Sequence, residues 1–129
     1  MKGLVVNVET QKAQFLDVPY SDESFEELYE FLDIDTVELA YRKVENKTKF
    51  VFILDENGLL KNEPIISGVD TDMNVAFVGT YAVLGLNKDG SIRELNDDEV
   101  ELLKRNVKYV STVSHPFGLL VLSQIERGV

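Results

Sequence analysis

The chain contains no cysteine. That removes a disulfide framework, a thiolate metal site and a cysteine nucleophile together. It has a single histidine, His115, so histidine-based acid–base or metal chemistry has one candidate. Long apolar runs are also missing. Runs such as Val51–Leu54 and Leu119–Leu122 fall far short of the roughly 20 residues a membrane helix needs. The patch Leu4–Val6 behind Met1-Lys2-Gly3 is much shorter than the roughly 7–15 apolar residues of a secretory leader. The expectation is a soluble, cytoplasmic protein without a membrane partner. Basic residues are absent from one long stretch: between Ala13 and Tyr41 there is neither Lys nor Arg.

What fills that stretch is acid. Asp17, Asp22, Glu23, Glu26, Glu27, Glu30, Asp33, Asp35 and Glu38 all lie there, in a chain of net charge −10. A second acidic block runs from Glu94 to Glu101. The bases gather in Arg42, Lys43, Lys47 and Lys49, and again in Lys104, Arg105 and Lys108. A surface this negative disfavours non-specific nucleic-acid binding and attracts basic partners. The plainer role of such charge is solvation of a helix face.

At 129 residues, with 44% hydrophobic side chains, the chain suits one domain with one proper core, spanning 1–129. No repeats, low-complexity segments or linkers divide it. Leu4–Val8 and Ala13–Val18 read as two strands about the turn Glu9–Lys12. Ser21 is a predicted N-cap with Asp22 and Glu23 in the first turn, Tyr20 and Phe25 forming a hydrophobic staple. Phe25, Leu28, Tyr29 and Leu32 then keep the helical period, predicting a helix over 21–32 with Glu26, Glu27 and Glu30 outward. Thr36–Arg42 alternates, with Val37, Leu39 and Tyr41 on one side, as a half-exposed strand does.

Phe50–Leu54 is apolar on both faces, which predicts a central strand. Turns are expected at Asn46-Lys47 and Asp55–Gly58, and a loop over Pro64–Asn74. Val75–Leu86 reads as one long strand, with Gly79 and Gly85 marking a bulge or a close backbone approach. Asn87–Gly90 is a hairpin signal, returning through Ile92–Leu95. Asn96, with Glu99 three residues on and Leu95 able to staple Val100, predicts a capped helix over 96–107 whose core stripe is Val100, Leu103 and Val107. Tyr109–Val113 reads as a strand beyond it. Leu119–Ile125 fits strand or helix equally. The fold class is α+β: a mostly antiparallel sheet of at least five strands with two packed helices.

Three pieces of this order carry a resemblance. They are Phe52-Ile53-Leu54-Asp55-Glu56-Asn57-Gly58-Leu59-Leu60 with Pro64, then Val78-Gly79-Thr80-Tyr81, then Leu95-Asn96-Asp97-Asp98-Glu99. In these, over about residues 2–107, the chain resembles the phage- and plasmid-borne domain-of-unknown-function family numbered thirty-eight forty-six. It departs from that family after the first helix, where Leu32–Glu38 replaces a Gly-Tyr-Ile-Glu stretch, and the tail beyond Tyr109 is not covered. The resemblance implies a small accessory protein of a mobile element acting in a bacterial host. It carries no catalytic residues across.

Chemistry has few candidates. His115 has Ser111, Ser114 and Ser123 nearby, but no nucleophile elbow, and it precedes a proline in a bend. Asp33-x-Asp35 and Asp70-x-Asp72 lack the further oxygens, the fixed glycine and the distal glutamate of a calcium loop. Gly79, Gly85 and Gly90 form no phosphate loop. The expectation is therefore a non-enzyme with no catalytic residue, metal or cofactor. Two binding modes stand beside each other. In one, Glu23, Glu26, Glu27, Glu30 and Asp33 present a negative face to a basic host protein, as an anti-defence inhibitor would. In the other, Tyr41, Arg42, Lys43, Lys47 and Lys49 hold a small molecule such as a nucleotide signal. The oligomeric state is open, a homo-oligomer included.

Overall fold

A computed structural model describes residues 1–10, 12–45, 47–56, 66–69, 75–110 and 119–122. The elements in chain order are β1 (Lys2–Asn7), β2 (Lys12–Asp17), α1 (Glu26–Leu32), β3 (Val37–Val44), β4 (Thr48–Asp55), β5 (Ile66–Val69), β6 (Val75–Val78), β7 (Tyr81–Leu86), β8 (Ile92–Arg93), α2 (Asp97–Asn106), β9 (Val107–Val110) and β10 (Leu119–Leu122). The main sheet runs β2-β1-β7-β4-β3, with the short β8 paired to β7. Every pairing in it is antiparallel. β5–β6 and β9–β10 form two separate antiparallel pairs. The architecture is α+β, an antiparallel sheet with two helices.

The helices cover opposite faces of the sheet. Leu102 and Leu103 of α2 pack with Leu4, Val6, Phe50, Phe52, Tyr81 and Val83. Leu28 and Leu32 of α1 pack with Val5, Val51, Ile53, Ala82 and Leu84. Alternate residues of β1, β4 and β7 thus feed two separate cores. This explains why Phe50–Ile53 and Tyr81–Leu84 read as unbroken apolar runs: a strand covered on both sides needs no polar face. All eight of those side chains are fully buried. The Val, Leu, Ile and Phe side chains among them are each worth roughly 1.5–3 kcal/mol of transfer free energy. β4 is an interior strand, between β3 and β7, as its sequence predicts.

The second helix starts where its sequence says. Asn96 Oδ1 accepts from Glu99 N–H at 2.8 Å, and Glu99 Oε1 accepts from Asn96 N–H at 2.9 Å, a complete capping box. Its inward stripe differs from the expected one. Glu99, Leu102, Leu103 and Asn106 are buried, while Val100 and Val107 sit at the rim of the core. The stripe still keeps helical spacing, but polar residues close both of its ends, because each meets a polar partner. Glu99 meets Arg93, and Asn106 donates to Leu102 O at 2.8 Å and to the Glu45 carboxylate.

Four further differences have local causes. The first helix begins at Glu26 rather than Ser21, with Phe25 at the cap position and no side-chain cap. Ser21 Oγ accepts from Glu23 N–H and Ser24 Oγ from Glu26 N–H, each two residues on, so these serines build turns. The Tyr20 and Phe25 rings still meet, with centroids 5.9 Å apart. The expected strand 75–86 is broken, since Gly79 takes φ 87° and separates β6 from β7. Ile66–Val69, inside the expected loop, is a strand paired with β6. On β3 the deeply buried residues are Ala40 and Val44, and Tyr41 is exposed. Val37 and Leu39 are half-buried on the opposite face. The reason is the same double covering: a strand between two layers has no single inner side.

Leu119–Leu122 is a strand, paired with β9, which settles the open choice for that segment. The expected turns at Asn46 and Asn57-Gly58 fall outside the described residues. Among the described residues no helix is long and apolar enough to cross a membrane.

Candidate functional site

The acidic segment leaves β2 through Val18-Pro19-Tyr20, folds through the two serine turns and enters α1. Val18 is fully buried and anchors it. Tyr20 donates its hydroxyl to Asp22 Oδ1 at 2.9 Å, and its ring starts an aromatic chain through Phe25 to Tyr29, whose rings are 6.3 Å apart. Burial, helped by the Asp22 hydrogen bond and charge and by nearby Tyr41, pushes the Tyr20 phenol up to about 12.

Between this segment and the end of β2 lies an open groove of about 560 Å³. Its lining includes the carboxylates of Asp17, Glu23, Glu26 and Glu27, together with Pro19 and Tyr20. Of the sequence-predicted acidic set, the structure brings Glu23, Glu26 and Glu27 to this groove. Glu30 and Asp33 lie further along α1, outside its lining. Asp33 ends the helix in left-handed conformation, φ 55° and ψ 51°. All five carboxylates are exposed. Among the described residues none of the five is paired with a base. Asp17 belongs to the acid-only stretch but not to the predicted binding set. Its Oδ1 accepts from the Met1 ammonium at 2.6 Å.

The basic set does not converge. Lys43 and Lys49 are directly opposite each other across β3–β4, on the face that carries Tyr41 and Val51. Arg42 lies on the other face, and its Nη1 donates to the Tyr41 carbonyl at 2.9 Å. Lys47 is at the hairpin end, 4.0 Å from Glu45. Like charges directly opposite in a sheet repel mildly. Lys43 and Lys49 therefore act as one local positive spot, and the five residues are not one pocket.

Two ion pairs that sequence reasoning missed hold α2, one to β8 and one to the turn after β3. Arg93 grips Glu99 with both nitrogens near the helix start. Glu45, in left-handed conformation at φ 58°, receives Arg105 Nε at 2.8 Å and Nη2 at 3.0 Å near the helix end. The hydrogen bonds from Arg105 and Asn106 hold the Glu45 carboxyl below its ordinary range. These contacts are architectural.

Among the described residues no three His, Cys, Asp or Glu side chains gather as a metal site. His115, Ser111, Ser114, Ser123, Asp70 and Asp72 lie outside the described residues. No curated protein and no solved structure matches the chain. The family model described as "Domain of unknown function (DUF3846)" matches residues 1–108, from β1 into β9, and the chain belongs to that family.

Proposed function

We propose that the protein is a non-enzymatic accessory factor of a phage or other mobile element, one that binds a basic surface of a host protein through the face built by α1 and its approach. A factor that blunts a host defence system fits this description. The observation that supports it is the set of exposed carboxylates Glu23, Glu26, Glu27, Glu30 and Asp33, without a basic partner among the described residues and with three of them lining a groove. Three layers of packing hold the groove in place: β2 on β1, Val18 in the core, and α1 on the sheet. A rigid negative face speeds encounter with a positive partner, and the gain falls as salt rises.

The other reading, a small-molecule binder at Tyr41, Arg42, Lys43, Lys47 and Lys49, has less support. Only Tyr41, Lys43 and Lys49 share a face. The experiment that separates the two is a pair of variants in a host-cell binding assay. Glu23, Glu26, Glu27 and Glu30 reversed to Lys removes binding on the first reading. Lys47 and Lys49 reversed to Glu removes it on the second.

A further inference from the structure

The main sheet has two edges, β2 and β3, and they are finished differently. At β3 the strand carries Glu38, Arg42 and Lys43, and the Arg42 guanidinium already occupies the Tyr41 carbonyl. Charged side chains and a blocked carbonyl are how natural edges avoid pairing. β2 has neither device in its middle. Ala13-Gln14-Phe15-Leu16 is uncharged, holds no proline, and pairs with β1 without a bulge. Leu16 is 40% exposed. Among the described residues β2 pairs with β1 alone.

The direction of its backbone follows from the hydrogen bonds around β1. Lys2 O accepts from Leu95 N–H, and Val8 N–H donates to Thr80 Oγ1, so even-numbered residues of that strand face away from β2. Met1 O accepts from Val18 N–H, so odd-numbered ones face it. In an antiparallel pair, opposite residues exchange both bonds or neither. Gly3↔Leu16, Val5↔Gln14 and Asn7↔Lys12 are therefore the bonded pairs. The N–H and C=O groups of Ala13, Phe15 and Asp17 point out of the sheet.

We infer that a second copy of this chain occupies this edge, β2 against β2, antiparallel about a two-fold axis through Phe15. That register uses all three outward residues: Phe15 exchanges bonds with its own counterpart, and Ala13 with Asp17 of the other copy. The side chains suit it. Phe15 faces Phe15, Leu16 faces Gln14 and Ala13 faces Asp17, so no like charges stand directly opposite. Two main sheets become one continuous sheet, with the α1 faces on the same side. Asp17 belongs both to this seam and to the groove lining, but the inference rests on the backbone of β2 and does not depend on the proposed function.

The test is sedimentation equilibrium of the whole chain over a wide concentration range at low and high salt. The expected result is a reversible dimer that tightens as salt rises, because two chains of charge −10 repel. Gln14 and Leu16 are exposed, so Gln14→Glu with Leu16→Glu leaves the fold intact while setting carboxylates opposite each other twice. This variant should weaken the dimer by about tenfold or more, equivalent to about 1.4 kcal/mol. Ala13→Pro removes an outward N–H only, and should act in the same direction. Should Ala13→Pro disturb folding by circular dichroism, the double glutamate variant decides alone. A monomer at every concentration overturns the inference. So does a dimer indifferent to the double variant, which would place the interface elsewhere.

Discussion

Arg93 lies over Gly85 and grips Glu99 with both guanidinium nitrogens, at 2.6 and 2.9 Å. A Cβ on Gly85 would stand 2.5 Å from Arg93 Nη1 and 3.1 Å from Glu99 Oε1. The missing side chain at Gly85 is what lets an ion pair fit between sheet and helix. Glu99 serves twice, since its Oε1 also closes the capping box. One carboxylate therefore sets both the start of α2 and its position on the sheet.

Arg93→Ala leaves that carboxylate largely buried without its cation. The expected loss is about 1–3 kcal/mol, the usual cost of stranding a buried polar partner. Gly85→Ala should also destabilise, and by the same route. In urea unfolding, the double variant should then lose clearly less than the sum of the two single losses. Full additivity would mean that Gly85 and Arg93 act separately.

The acid limb of stability follows from the same pair. Burial, the largest single influence, raises the Glu99 carboxyl, but the Arg93 and Asn96 hydrogen bonds and the Arg93 charge outweigh it and bring it below its ordinary 4.5. A carboxyl lowered by folding stabilises the fold fully above its unfolded value, and that contribution is lost as pH falls through the folded value. Wild type should thus be steady above pH 4.5 and weaken below it. Arg93→Ala should flatten that fall, seen in unfolding midpoints measured from pH 7 to 3.

The two candidate caps should behave differently. Asn96→Ala should cost about 0.5–2 kcal/mol, because the Asn96 side chain holds the Glu99 N–H. Ser21 sits in an exposed turn five residues before α1, so Ser21→Ala should fall within about 0.5 kcal/mol of wild type. Thermal melts of the two variants side by side check this.

That contrast shows where the sequence was legible. At Asn96 the cap, the glutamate, the staple and the hydrophobic period all agree, and the helix begins there. At Ser21 another good capping residue precedes acids and an aromatic, yet the side chain bonds two residues ahead, where a turn satisfies it equally well. The central strand β4 was readable because burial on both faces leaves an unmistakable apolar run. The break at Gly79 was not, because a glycine marks a bulge, a close approach or a turn with equal ease. At the candidate site, the acids themselves were plain. What the sequence could not place was Asp17 in the same groove as Glu23, Glu26 and Glu27. Nor could it show that the alternating strand runs on past Arg42 to Val44, which sets Lys43 directly opposite Lys49.

The central claim is that the α1 face binds a basic host surface. Affinity capture from host lysate tests it directly, with wild type, the Glu23/Glu26/Glu27/Glu30→Lys variant and the Lys47/Lys49→Glu variant run side by side at low and high salt. Circular dichroism of each protein confirms that it is folded. The account predicts a partner retained by wild type and by the Lys47/Lys49 variant, lost from the glutamate-reversed variant, and released by salt. A partner that stays with the glutamate-reversed protein, or is lost only when Lys47 and Lys49 are reversed, would contradict it.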